Sequence, residues 1–551
     1  MSNKRIAYCF LTLLMLLCVG SSFAQEAILR LPPFNISALT LNEQIVADSV
    51  ANGIVPNRVF VLQRGGAYRV QGIIRNYGWA LKIRANDSAT TKKPIIFLYP
   101  IAATGIPPGQ MVDIRGDLYL KNLIISGYYE PIDSNLNNLQ GSLFNTGASG
   151  KNIYIDSCIL SNTNGNHIRT DNAPATVKVT NTLFANMGFL GKSNFGAGKG
   201  LDVRAGSVDS LIIQNCSFVN YYDRIVRHYS STAPIKYFKF DHNTLVNGCS
   251  YHGMLSLGKV SGTIQITNNL LYDAFAMGND TDFTRQVEFS DSGEKDAYGR
   301  NRMTWVITVP NDTLNPVYVI RNNFYTVSDS GQAFFNRYAA AGVTGEGAPL
   351  TWYINKKLGA DSTKAFTKIA GLKLNTIPNP LNKLMGWYRD PNGGNKTKNT
   401  PSSKWNVSFD FDRKGYVYLR DTLDCKYPTT STAYTGADSK QPAGSLTWWG
   451  LTIAGVQRTG DVVPTSISLD QNYPNPFNPN TTIGFAIPKA GFVTLTVYNT
   501  LGQEVATVVR GEMAAGRYNA SFDASSLSSG MYMYRLNAGD YTSVRKMMLL
   551  K

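Results

Sequence analysis

VKVTNTLFAN (177–186) and LIIQNCSFVN (211–220) share one pattern: apolar residues alternate with polar ones, Asn stands at the fifth place, and a second apolar stretch closes on another Asn. The pattern recurs in LYLKNLIISG (118–127), IYIDSCILSN (153–162), FKFDHNTLVN (238–247), IQITNNLLYD (264–273) and YVIRNNFYTV (318–327). Successive copies begin 35, 24, 34, 27, 26 and 54 residues apart, and their fifth residues are Asn122, Ser157, Asn181, Asn215, His242, Asn268 and Asn322. A short strand of period two buries one face only. Asn then turns the chain, because its side chain tolerates the left-handed region and bonds nearby backbone. Repeating that turn predicts a solenoid whose coils bury their apolar faces against one another, with equivalent Asn side chains stacked in a ladder. The fold class is therefore all-β: a right-handed parallel β-helix followed by a small C-terminal β-sandwich. A β-sandwich for the whole chain would need hairpin turns every 8–12 residues or so.

A shorter strand precedes most copies. Phe144, Ile168, Val203 and Leu255 lie 9, 9, 8 and 9 residues before the next copy, and Val226 lies 12 before. One coil thus reads as strand, turn, strand, Asn turn, strand and variable loop. Cys158 and Cys216 share a repeat position with Thr182 between them. Two rungs separate them by ~10 Å, beyond the ~7 Å reach of a disulfide, so both are expected as reduced core thiols. Residues 25–117, with VPNRVFVLQRGGAYRVQGII (55–74) and WALKIRA (79–85), read as an N-terminal cap and first coils, and 118–328 as the repeats. Residues 329–457, including SLTWWGL (445–451), read as a last coil and a cap over the solenoid end. The insertion 290–316 is the longest within the repeats, a common place for binding function.

Lys4 and Arg5, the apolar Ile6–Val19 and the Ser22-Phe23-Ala24 site read as a secretory signal over 1–24. No other stretch reaches the ~18 apolar residues of a membrane span. Over residues 26–462 there are 44 basic and 32 acidic residues, a moderate surplus for an exported protein. It favours an acidic glycan or cell surface over nucleic acid. No C-x-x-C occurs, which argues against structural zinc. A monomer is expected.

After a linker over 458–470, residues 471–551 read as a small sandwich of alternating strands such as VTLTVYN (493–499) and MYMYRLNAG (531–539). The stretch 467–551, from LDQNYPNPFNP through VYNTLGQEV and AAGRYNASFDASSLSSGMYMYRL to the terminal Lys, closely resembles the type A C-terminal sorting domain of the type IX secretion system. That resemblance implies the secretion machinery as a partner and passage across the outer membrane of a Bacteroidetes-type cell. Removal of the module, on release or on surface attachment, would follow.

GLDVRAGSVDSLIIQNCSF (200–218) resembles a coil of the pectate-lyase superfamily, a likeness that extends as architecture over about 110–330. In calcium-dependent members this coil carries D-G-x-x-D, both Asp binding Ca²⁺. Here the second Asp matches Asp202 but the first falls on Gly198, so the family's calcium pair is incomplete. Placing Ile168, Val203, Val226 and Leu255 inward turns Arg169, Arg204, Arg227 and Ser256 outward on successive rungs. His167 and Asp202 are expected upstream on the same face, and Lys199 nearby. Three stacked arginines repel unless an anion neutralises them, and guanidinium suits carboxylate or sulfate. An acidic polysaccharide is the expected partner.

Three functions remain open at this point. A lyase would work by β-elimination, with Arg204 neutralising a uronate and Arg227 or Lys199 removing its C5 proton. Members of the resembled family use a basic residue on this face. A non-catalytic glycan-binding or adhesive protein would need the cations alone. A glycoside hydrolase would need paired carboxylates, and Asp202 has no evident partner. His228 and His252 read as packing residues, and the acids of VEFSDSGEKD (287–296) as a solvated loop rather than a Ca²⁺ site.

Overall fold

A computed structural model describes residues 26–550 apart from 87–91, 128–140, 189–197, 205, 230–232, 280, 288, 290–293, 298, 309–313, 344, 346, 379–421, 452–455, 459–463, 490, 514 and 525–526. Residues 1–24, expected from sequence to be a secretory signal, lie outside the described residues, as does part of the 290–316 insertion.

Each coil contributes one strand to each of three parallel sheets. In one coil these are Asn166–Thr170 in the first sheet, Thr176–Thr180 in the second and Leu183–Met187 in the third. The sheets contain eight, ten and ten strands, and neighbours in each come from successive coils. This is the parallel β-helix that the repeats predict. Strand Ala27–Leu31 opens the second sheet by pairing with Arg58–Leu62, and helix Leu41–Asn52, capped by Thr40 and Glu43, lies between them in the chain. Strand Phe366–Lys368 closes the third sheet.

All seven residues at the fifth repeat position have φ between 51° and 61°. That conformation costs most L-residues about 1–2 kcal/mol and Asn less. Their amides form the expected ladder in part: Asn215 Nδ2 donates to Asn181 Oδ1 at 2.6 Å, and Asn181 Nδ2 to Asp156 Oδ1 at 2.7 Å. A second ladder runs through the third sheet, where Asn186 Nδ2 donates to Asn162 Oδ1 (2.8 Å) and Asn220 Nδ2 to Asn186 Oδ1 (3.1 Å). These residues also have positive φ, so the coils of 177–186 and 211–220 bend twice on Asn. A third series follows the first turn. Asn243 and Asn269 side-chain oxygens accept the backbone N–H of Cys216 (2.9 Å) and Asn243 (2.8 Å).

Between the sheets one apolar core continues from Leu31 to Ala365, with Phe184 stacked on Phe218 at 4.7 Å. Cys158, Cys216, Cys249 and Cys425 are free and buried, which bears out the reading of the first two. The segment 444–449 lies along the flank of the Asn turns. There Leu446 N–H and Ser445 Oγ donate to Asn215, and Trp448 Nε1 to Ser217. SLTWWGL therefore contacts mid-solenoid turns.

The C-terminal part forms two four-stranded antiparallel sheets around a separate core containing Ile483, Phe485, Leu495, Tyr534 and Leu549. Strand Val456–Arg458 pairs with Gly516–Asp523, and Ser468–Leu469 with Asn480–Ile487, in one of these sheets.

Candidate anion-binding cleft

The outer face of the first sheet carries the chemistry. Asp113, Asn145, Arg169, Asp202, Arg227 and Ser256 occupy one outward position on six successive rungs. The inward neighbours are Val112, Phe144, Ile168, Leu201, Val226 and Leu255. This corrects the expected register at one coil: Leu201, not Val203, aligns with Ile168 and Val226. The chain takes ten residues from Leu201 to the next copy and nine from Ile168, so counting back nine lands on Asp202, and taking the apolar residue after it as inward gives Val203. The extra length lies in a turn containing Gly206 at φ 80°.

The expected stack of three arginines is therefore broken by Asp202, and Arg204 stands two residues further along, beside Asp171. One column alternates in charge, Arg169, Asp202, Arg227, and beside it Asp171 faces Arg204, with Tyr229 on the next rung. Opposite charges on adjacent rungs relieve the repulsion that a pure arginine stack would carry.

The contacts follow this checkerboard. Arg227 holds Asp202 with two bonds, Nε to Oδ1 at 2.6 Å and Nη2 to Oδ2 at 3.2 Å, and lies over the Tyr229 ring. Asn166 Nδ2 also donates to Asp202. Arg169 Nε donates to Asp171 at 2.9 Å, and Asn145 Nδ2 donates to the same carboxylate. Arg204 approaches Asp171 only to 3.9 Å and makes no side-chain hydrogen bond among the described residues. Asp171 is titrated low: burial acts to raise its pKa, but Asn145, Arg169 and Arg204 outweigh it.

Arg169, Lys199, Asp202, Arg204 and Arg227 all line one open cleft of about 500 Å³, together with Ser142, Asn145, Asn166 and the glycines Gly109, Gly141 and Gly165. Five of the six residues singled out from sequence thus meet in one place. The sixth, His167, does not. It is fully buried against the Phe184 ring, and burial pushes its pKa down to about 3, so it is a neutral core residue rather than part of the outer face.

Lys199 forms the cleft wall and is nearly buried, with Nζ 3.1 Å from Asp223 Oδ2. Burial lowers its pKa, and the neighbouring Asp223 works against that shift. Asp223 is wholly buried. Although burial alone would raise its pKa, His252, Lys199 and Arg224 hold it well below the usual carboxylate range. Its other oxygen is in close contact with His252 Nδ1. His252, read from sequence as packing, therefore belongs to the charge network behind the cleft. No local pattern marks it, because it lies 29 residues from Asp223. His228 bridges Leu257 O and Gly206 O, as a packing residue should.

The residues do not fit the calcium ion of the resembled family. Gly198 offers no carboxylate, and both oxygens of Asp202 accept from Arg227. Among the described residues no group of three or more His, Cys, Asp or Glu side chains is placed to hold a metal. Glu294, from the acidic loop, accepts from Trp352 N and Tyr353 N at the start of helix Trp352–Leu358. No described residue of 290–316 lines the cleft.

Residues 471–550 match the family model of the secretion system C-terminal sorting domain. Export through the type IX system, ending in secretion or surface attachment, follows from that domain. No curated protein and no solved structure matches the chain. Among the described residues no helix is long and apolar enough to cross a membrane.

Proposed function

We propose that this exported β-helix binds an acidic polysaccharide along the outer face of its first sheet. The observation that carries the reading is the cleft lining: Arg169, Lys199, Arg204 and Arg227 against Asp202, the one carboxylate among the described lining residues. Among the described residues Arg204 makes no side-chain hydrogen bond and Arg169 donates only through Nε. These two offer paired N–H groups to a carboxylate or sulfate at the cleft mouth. Arg227 is committed to Asp202 and serves to fix that wall. It is thereby set aside as a proton abstractor.

A second reading, β-elimination, is favoured by Lys199. A lysine of lowered pKa on a cleft wall suits a general base. Its neutral amine would take the C5 proton of a uronate held by Arg204, C4=C5 would form as the C4–O bond breaks, and the leaving oxygen would take a proton from solvent. Hydrolysis is not supported, because the one carboxylate lining the cleft is held by a guanidinium.

Incubation with polygalacturonate, alginate, hyaluronan and chondroitin sulfate, followed at about 235 nm and by calorimetry, tests both readings. Binding without absorbance supports the first. A rise in absorbance that disappears in Lys199→Met establishes the second. No binding to any acidic chain sinks both.

A further inference from the structure

We infer, resting on the binding proposed above, that the ligand alternates charged and uncharged sugars. The first-sheet column reads Arg169, Asp202, Arg227 on consecutive rungs. Rungs lie ~4.8 Å apart, so the two cations stand roughly 10 Å apart with a carboxylate between them. One rung is close to the length of a sugar in an extended chain, so two rungs span a disaccharide.

A chain lying along the solenoid axis with an acid on every sugar would set one of its carboxylates against Asp202. That carboxylate is buried and already bonded by Arg227 and Asn166, so it cannot swing away. Like charges at such spacing cost affinity and select against the wrong partner. An uncharged sugar at the same rung brings hydroxyls, which donate to the carboxylate. The acids on either side then meet Arg169 and Arg227, with Arg204 beside the central rung as a second donor to the first acid. Arg227 takes part through Nη1, since Nε and Nη2 hold Asp202. The charge alternation of the sheet thus sets the charge period of the polymer.

The test uses the secreted chain with two commercial polymers: hyaluronan, one carboxylate per disaccharide, and polygalacturonate, one per sugar. Calorimetry at matched carboxylate concentration is expected to give hyaluronan an affinity about 10-fold or more above polygalacturonate, roughly the effect of one misplaced charge. Asp202→Asn, which keeps the side-chain shape, is expected to narrow the gap by strengthening polygalacturonate binding. Equal or tighter binding of polygalacturonate by the native protein overturns the alternation while leaving acidic-glycan binding intact. Binding of neither polymer overturns the inference, and failure of alginate and chondroitin sulfate to bind as well overturns the proposed function itself.

Discussion

Lys199 reaches back from the cleft wall to Asp223, a wholly buried carboxylate, at 3.1 Å. The pair joins the surface that would meet a ligand to a charge cluster completed by His252 and Arg224. Asp223→Asn leaves Lys199 without its partner in a dry site, a change that typically costs about 3–5 kcal/mol. The sign with pH is fixed by the depressed Asp223 pKa. Its stabilisation is fully present above the unfolded value of ~3.9 and is lost as pH falls toward the folded value. Denaturation of the two proteins should therefore differ most near neutral pH and begin to converge only as pH falls below about 4. The lowered Lys199 pKa acts in the same direction, in a higher pH window. Between that value and the ordinary lysine value the unfolded chain binds more protons, so this group makes stability rise with pH.

Arg204→Ala should separate binding from folding. The side chain makes no hydrogen bond among the described residues and is more than a third exposed. Its removal is expected to change stability by less than about 0.5 kcal/mol. Losing a charged donor to an anion should weaken acidic-glycan binding roughly 10- to 100-fold. Calorimetry and thermal melting on the same sample check both parts.

Arg227→Ala should behave in the opposite way. It strips two bonds from buried Asp202. The protein should lose about 3 kcal/mol or more, and Asp202→Asn in the same background should restore much of it, as chemical denaturation of the four proteins would show.

Asn215 tests the turn that defines the fold. It combines φ 58° with bonds to Asn181, Ser445 and Leu446. Asn215→Ala is expected to cost roughly 2–4 kcal/mol, from left-handed strain plus unsatisfied groups. Asn215→Gly should cost less, because only the bonds are lost. Melting curves of the two variants divide the effect.

The four cysteines of the described chain should resist a thiol reagent until the protein unfolds. Burial pushes the Cys158 and Cys216 thiols up to about 12 and raises Cys249 and Cys425 as well. Reductant should leave the melting temperature unchanged, since no disulfide links them.

Much of the solenoid was legible because its signal is local. The period-two alternation and the Asn at the fifth place name the second and third sheets, and every such residue has the backbone angle that the turn requires. Phe144, Ile168, Val226 and Leu255 fell in register for the same reason. Val203 did not, because the turn before its next strand holds one extra residue and no periodicity reports a turn's length. That slip exchanged Arg204 for Asp202 and so hid the alternation of charge. The sequence pattern also gave no sign that His167 is buried, since period two places it on the same face as Arg169. The network behind Lys199 joins residues whose strands meet only in the folded coil.

Binding of an acidic polysaccharide in the first-sheet cleft stands or falls on affinity measured across salt concentrations for the native protein and for Arg169→Ala/Arg204→Ala. Binding to an acidic chain that weakens as salt rises, and that falls by at least about 10-fold in a variant with unchanged melting, is the predicted result. Native-like binding by the variant, or affinity indifferent to salt, would contradict the account.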